Sequence, residues 1–178
     1  NVDGNTKVTI GGEVYGIVAG GGYAEAGEND LSALTFNANV SGSATINITN
    51  ASQYVEYVRG GGVAYQANAQ NVTGKHVLNA KVDGDVVILL NGFIGNDDFS
   101  IIGGGYAECD SQYAYEALLN VDVGGSVNIT FKGDAQGYNY NHYGVYGGGY
   151  AKSESISGDL VNHKVSASAK VKQNVVIL

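Results

Sequence analysis

A glycine triplet returns four times along this chain, beginning at Gly20, Gly60, Gly103 and Gly147, at intervals of 40, 43 and 44 residues. Its flanks return with it, as VAGGGYAEA, VRGGGVAYQ, IIGGGYAEC and VYGGGYAKS. A second motif follows each triplet: NVSGSATINI from Asn39, KVDGDVVILL from Lys81, DVGGSVNITF from Asp122 and KVKQNVVIL from Lys170. The N-terminal NVDGNTKVTI is a fifth copy of it. A unit repeated at this period cannot bury its apolar face alone, so it must stack on its neighbours.

The pattern inside each unit has period two. Leu34, Phe36, Ala38 and Val40 alternate with polar residues, as do Leu78, Ala80 and Val82, then Leu119, Val121 and Val123, then Val165, Ala167, Ala169 and Val171. Strict alternation marks a half-buried strand. A polar break (SGS, DGD, GGS, KQN) ends each run, and a second strand begins with Ala44, Ile46 and Ile48 in one copy and Val86, Ile88 and Leu90 in the next. The glycines are expected within a third strand. The best helix candidate is short, SQYAYEALLN from Ser111. Length variation is confined to the segments before and after the triplets, which read as surface loops.

These features predict an all-β chain, a single domain over 1–178 folded as a parallel β-solenoid (β-helix) of about four repeats of 40–44 residues, with triplets at 20–22, 60–62, 103–105 and 147–149. Each unit reads either as two rungs or as one rung with long loops, with a β-roll or β-prism as the other arrangements. The VYGGGYA strand and the V-x-G-x-V-x-I strand, alternating through the whole chain, resemble the repeats of bacterial extracellular β-helix proteins. That resemblance implies a secreted or cell-surface location and a structural or adhesive role. It brings no catalytic residues with it.

Composition narrows the functions. Nine basic against 17 acidic residues, a net charge of −8, remove the basic footprint that nucleic-acid binding needs and disfavour anionic membranes. No apolar run approaches the roughly 20 residues of a membrane span. There is no Met, which points to a matured chain or a segment of a longer one, and secretion is the expectation. The one cysteine, Cys109, has no intrachain partner for a disulfide, so packing and hydrogen bonds must supply stability. The chain opens and closes on the same strand motif, and its aliphatic QNVVIL end implies a neighbour: flanking repeats of a longer polypeptide, or another copy stacked end to end.

The triplets Gly20, Gly21, Gly22; Gly60, Gly61, Gly62; Gly103, Gly104, Gly105; and Gly147, Gly148, Gly149 suggest two roles. One is an anion cradle, but neither a Lys-Ser/Thr pair nor a strong helix follows them. The structural role is a close approach of stacked backbones, or a corner at positive φ, with Tyr or Val covering the bare chain. Asp83 with Asp85, Asp97 with Asp98, and Glu108 with Asp110 are too few oxygens for calcium and read as solvated turns. Arg59 is the single Arg, and Glu56 is its nearest acid in sequence, which is thin support for lyase chemistry. His76, His142 and His163 lack metal-ligand spacing and read as loop or surface residues. Cys109, between Glu108 and Asp110, is no nucleophile, because negative neighbours raise a thiol pKa. No catalytic residue, metal or cofactor is assigned.

Tyrosines crowd into YNYNHYGVY, and Tyr138, Tyr140, Asn141, Tyr143 and Tyr146 form the candidate glycan patch, with rings for sugar faces and amides for hydroxyls. The competing role for those rings is stacking on the next unit. Asn39, Asn47, Asn50, Asn71 and Asn128 head Asn-x-Ser/Thr sequons, against about two expected by chance. The functional expectation is a structural protein that self-assembles into a filament or forms part of a stalk. A carbohydrate-binding adhesin module is the alternative, and a polysaccharide-cleaving enzyme ranks third.

Overall fold

The structure, a computed structural model, describes residues 1–12, 15–26, 34–49, 55–69, 75–91, 100–111, 116–132, 144–154 and 164–178. Every element among them is a strand, and every pairing is parallel. The first sheet stacks β1 (Thr6–Ile10), β5 (Ala44–Ile48), β9 (Val86–Asn91), β13 (Val127–Lys132) and β17 (Val175–Ile177). The second stacks β2 (Gly16–Ala19), β6 (Val55–Arg59), β10 (Ser100–Ile102) and β14 (Gly144–Tyr146). The third stacks β3 (Tyr23–Ala26), β7 (Val63–Ala69), β11 (Tyr106–Ser111) and β15 (Tyr150–Glu154). The fourth stacks β4 (Leu34–Asn37), β8 (Lys75–Asn79), β12 (Glu116–Asn120) and β16 (Lys164–Ser168). Single bridges join Val2, Val40, Val82, Val123 and Val171 in one column. This is a parallel β-solenoid.

Each strand therefore pairs with its equivalent one repeat away, so a repeat makes one turn of the coil and not two. Contacts at the polar break measure that turn: the Ser43 amide donates to Asn5 Oδ1 across 38 residues, Asp85 to Ser43 Oγ across 42, and Ser126 to Asp85 Oδ1 across 41. The side chain at this position thus accepts the backbone N–H of the equivalent residue above. At about 4.8 Å per rung the described stack rises on the order of 20 Å.

Two expectations are corrected. The glycines do not lie within a strand: each triplet is the bend between a strand of the second sheet and one of the third. The helix candidate from Ser111 is not helical where it is described. Ser111 ends β11 and Glu116–Asn120 is β12, because Ala117 and Leu119 alternate inward and the sheet supplies their backbone partners.

The alternating residues of the inner copies face inward, as expected: Ala38, Val40, Leu78, Ala80, Val82, Leu119, Val121 and Val123 are buried, while Ala167 and Ala169 on the last rung are exposed. The buried residues divide into two cores. Ile46, Ile48, Ile88, Leu90 and Ile129, with the valine column, fill a wide lobe between the first and second sheets. Ala64, Ala107, Ala117, Leu78 and Leu119 fill a narrower one between the third and fourth, whose Cα atoms come within 8 Å of each other. Each fully buried Ile or Leu is worth about 1.5–3 kcal/mol, so the wide lobe dominates the hydrophobic stabilisation.

Candidate functional site: the glycine corner and its tyrosine column

The triplets stack in three columns, and each column has a different reason to lack a side chain. A Cβ on Gly20 would strike the Gly60 carbonyl oxygen, and one on Gly60 the Gly103 carbonyl oxygen. A Cβ on the middle Gly61 would stand 2.9 Å from the Gly105 backbone nitrogen. Third-position glycines face across the coil: a Cβ on Gly62 would strike the Ala38 carbonyl oxygen, and one on Gly105 that of Ala80. Among the described glycines only Gly4 and Gly16 have positive φ. Close approach, and not a left-handed corner, is therefore what the triplets supply. The third column is a waist where opposite walls of the coil touch at backbone level, and it separates the two lobes.

The amides are also spoken for. Gly20, Gly60 and Gly103 donate to the carbonyls of Arg59, Ile102 and Tyr146 at 2.9, 2.8 and 2.7 Å. Gly21, Gly61 and Gly104 donate to Gly61, Gly104 and Gly148 at 3.0, 2.9 and 2.8 Å. Donors used between rungs cannot converge on a phosphate, so the anion-cradle role fails at these positions.

On the outer surface of this corner runs an aromatic column. Tyr23, Val63, Tyr106 and Tyr150 are successive sheet partners immediately after the triplets. Tyr106 and Tyr150 stack with centroids 5.3 Å apart and planes 5° from parallel, and Tyr146 meets Tyr150 edge-on at 6.1 Å. Val63 breaks the column where the others have Tyr, and in the same copy Arg59 replaces the aliphatic or aromatic residue before the triplet. The two differences answer each other. The Arg59 guanidinium lies 4.9 Å from the Tyr106 centroid and 5.0 Å from that of Tyr57, covering the ring face that a tyrosine at 63 would have stacked on.

Arg59 is buried, and donates from Nη1 to Ser100 Oγ at 2.8 Å and to the Ser100 carbonyl at 3.1 Å. Burial pulls its pKa down to about 10, with the tyrosines and Glu108 opposing, so it stays charged at neutral pH. Tyr106 donates a hydrogen bond to Glu108 Oε2, and Glu108 Oε1 pairs with Lys152 Nζ at 3.2 Å. Tyr23 repeats the arrangement, donating to Glu25 Oε2 at 3.1 Å; burial and then Glu25 raise its pKa.

Of the expected glycan patch, Tyr146 is on β14, exposed and packed against Tyr150. Tyr138, Tyr140, Asn141 and Tyr143 lie outside the described residues, as do Asn50, Asn71, Asp97, Asp98, His142 and His163. Asn39 Oδ1 accepts the Lys81 amide at 2.9 Å. Asn47 sits between Thr9 and Leu89, and Asn128 between Val87 and Val176, both half-buried in the first sheet. Asp83 and Asp85 are exposed at the polar break, as a solvated turn requires. Among the described residues no group of three or more His, Cys, Asp or Glu is placed to hold a metal ion.

Two features escaped the sequence reading. Asn37, Asn79 and Asn120 form an amide ladder, Asn79 Nδ2 donating to Asn37 Oδ1 at 2.9 Å and Asn120 Nδ2 to Asn79 Oδ1 at 2.8 Å. Their signal was the Asn found three residues before the bridging valine in three successive copies. The other is a polar patch inside the narrow lobe. His76, expected at the surface, is fully buried because it continues the inward alternation of Leu78, Ala80 and Val82, and neither ring nitrogen has a partner among the described residues. Burial lowers its pKa. Buried Gln66 takes the Cys109 thiol on Oε1 at 3.3 Å, and its Nε2 has no partner among the described residues.

Fold and site define a class, a parallel β-solenoid whose chemistry-bearing groups are stacked side chains on a repeat scaffold. Comparison goes no further: no protein-family model, curated protein or solved structure matches the chain.

Proposed function

We propose that this chain is a secreted or cell-surface structural element, a rod that lengthens by adding rungs at its open ends. The observation that carries the reading is the first sheet's end column. Val127 and Ile129 are 0% and 1% exposed, whereas their partners one rung on, Val175 and Ile177, are 46% and 48% exposed. One more rung would bury the outer pair as the inner pair is buried. That rung comes from a further copy of the chain or from flanking repeats of a longer polypeptide. The low charge and absence of proline leave few of the usual blocks to edge pairing.

Among the described residues the first sheet has five strands and the other three have four. A second copy can seat β2–β4 on β14–β16 only if its own β1 or this chain's β17 gives way, so stacking of copies is expected to involve exchange of that strand.

Sedimentation velocity across a concentration series tests the reading. Mass is expected to rise with concentration for the native sequence. The double substitution Val175→Asp, Ile177→Asp, at positions already exposed, is expected to abolish that rise without unfolding the chain. An unchanged single-chain mass for the native sequence at every concentration would overturn self-assembly. The glycan-binding alternative gains from the exposed Tyr146, and glycan-array binding lost on Tyr140→Ala and Tyr143→Ala would favour it instead.

A further inference from the structure

The stacked pair Tyr106 and Tyr150 joins two successive rungs of the third sheet, and its surroundings are specific. The two residues are direct partners in the third sheet, their rings are stacked in nearly parallel planes with centroids 5.3 Å apart, and the Tyr106 phenol is hydrogen-bonded to the Glu108 carboxylate. Arg59, from the rung below, covers Tyr106 at 4.9 Å, which leaves Tyr150 as the ring stacked on it.

We propose that Tyr106 and Tyr150 are a site of oxidative cross-linking, joined as a dityrosine by a peroxide-driven one-electron oxidant such as a haem peroxidase. Each phenol loses one electron and one proton, and at Tyr106 the proton passes to Glu108. The two radicals couple through a new carbon–carbon bond between ring positions ortho to the oxygens. The hydrogens on those carbons move to the oxygens and restore both phenols. Two electrons and two protons leave in all, and one hydrogen peroxide takes them up to become two waters. The product staples adjacent rungs in a chain whose single cysteine is buried in the narrow lobe. Proximity of the partners within one folded chain replaces a bimolecular encounter with an internal one.

Accessibility alone would choose differently. Among the described tyrosines Tyr15, Tyr23 and Tyr146 are 71%, 54% and 46% exposed, while Tyr106 and Tyr150 are half-buried, so of these an unselective oxidant would favour the exposed three and couple them between molecules. The test treats the dilute full-length chain with hydrogen peroxide and a haem peroxidase, then maps cross-links by digestion and mass spectrometry and follows dityrosine fluorescence. The expected main product is an intrachain Tyr106–Tyr150 link, lighter by two hydrogens. Tyr150→Phe, which keeps a ring in the stack, should remove that link and most of the fluorescence. Glu108→Gln should slow its formation by on the order of tenfold or more. Cross-links that join mainly Tyr15 or Tyr23, or fluorescence unchanged in Tyr150→Phe, would overturn the proposal.

Discussion

The two lobes of the coil share the same rungs and the same backbone ladder, yet they are built on opposite principles. The wide lobe is packed with Ile, Leu and Val around the valine column, and its buried side chains are apolar. The narrow lobe brings the third and fourth sheets so close that alanine is the common inward residue, and it tolerates Gln66, Cys109 and His76 at its far side. The glycine waist holds them at different widths. Width in a solenoid is thus set by where backbones are allowed to touch, and side-chain volume follows.

The largest effect is expected at the waist itself. Gly105→Val would drive a side chain into the Ala80 carbonyl, which has nowhere to go, and should cost about 3 kcal/mol or more; thermal unfolding followed by circular dichroism checks it. Gly12→Ala, with nothing within 4 Å of the added carbon, should stay within about 0.5 kcal/mol. Equal effects at the two positions would remove the waist from the account.

The lobes should then respond oppositely to volume. Ile88→Ala empties the wide lobe and should cost about 2–5 kcal/mol in denaturant titrations, whereas Ala107→Leu overfills the narrow lobe and should cost about 1–3 kcal/mol. A narrow lobe that accepts leucine at little cost would break the comparison.

Polarity sharpens it further. His76→Leu should be neutral or stabilising by about 1 kcal/mol at neutral pH, since it removes two unpartnered buried nitrogens. Because the His76 pKa is lowered in the fold, the unfolded chain takes up its proton first. Stability should therefore be full above about 6.5 and fall as the pH drops below that value, and His76→Leu should flatten this limb. Asp122 acts in a more acid window. Burial pushes its pKa up, but the Ser168 hydroxyl, the Lys170 amide and the charges of Lys81 and Lys170 outweigh that and leave it below its ordinary value. Its contribution holds above the unfolded value of 3.8 and is lost below, so Asp122→Asn should leave the His76 limb untouched.

A comparably modest effect is expected on the outside of the fourth sheet. Asn79→Ala interrupts the amide ladder at both bonds and should cost about 1–2 kcal/mol by chemical denaturation.

Much of this was legible before the structure. The alternation of Leu78, Ala80 and Val82, and of Ala44, Ile46 and Ile48, placed the inward faces, because a buried strand face imposes period two whatever its partner. The triplet period announced the stacking. What the pattern left open was the number of rungs per repeat, since a bend is read from turn chemistry and the triplets turn without positive φ. Their reason is the distance to a wall from elsewhere in the coil, which no local window contains. His76 was legible in principle: it keeps the phase of its strand, but its polarity argued for the surface and the phase prevailed. The pairing of Arg59 with Val63 was visible as two departures in one copy, and only the ring geometry connects them. The Tyr138 to Tyr143 cluster lies outside the described residues, so that site stands as the sequence posed it.

The most direct test of the rod reading is electron microscopy of the purified chain over a concentration series, by negative stain or in ice. The account predicts particles that lengthen along one axis with concentration, with an axial spacing of about 4.8 Å between rungs. Particles that keep the size of one chain at every concentration would contradict it.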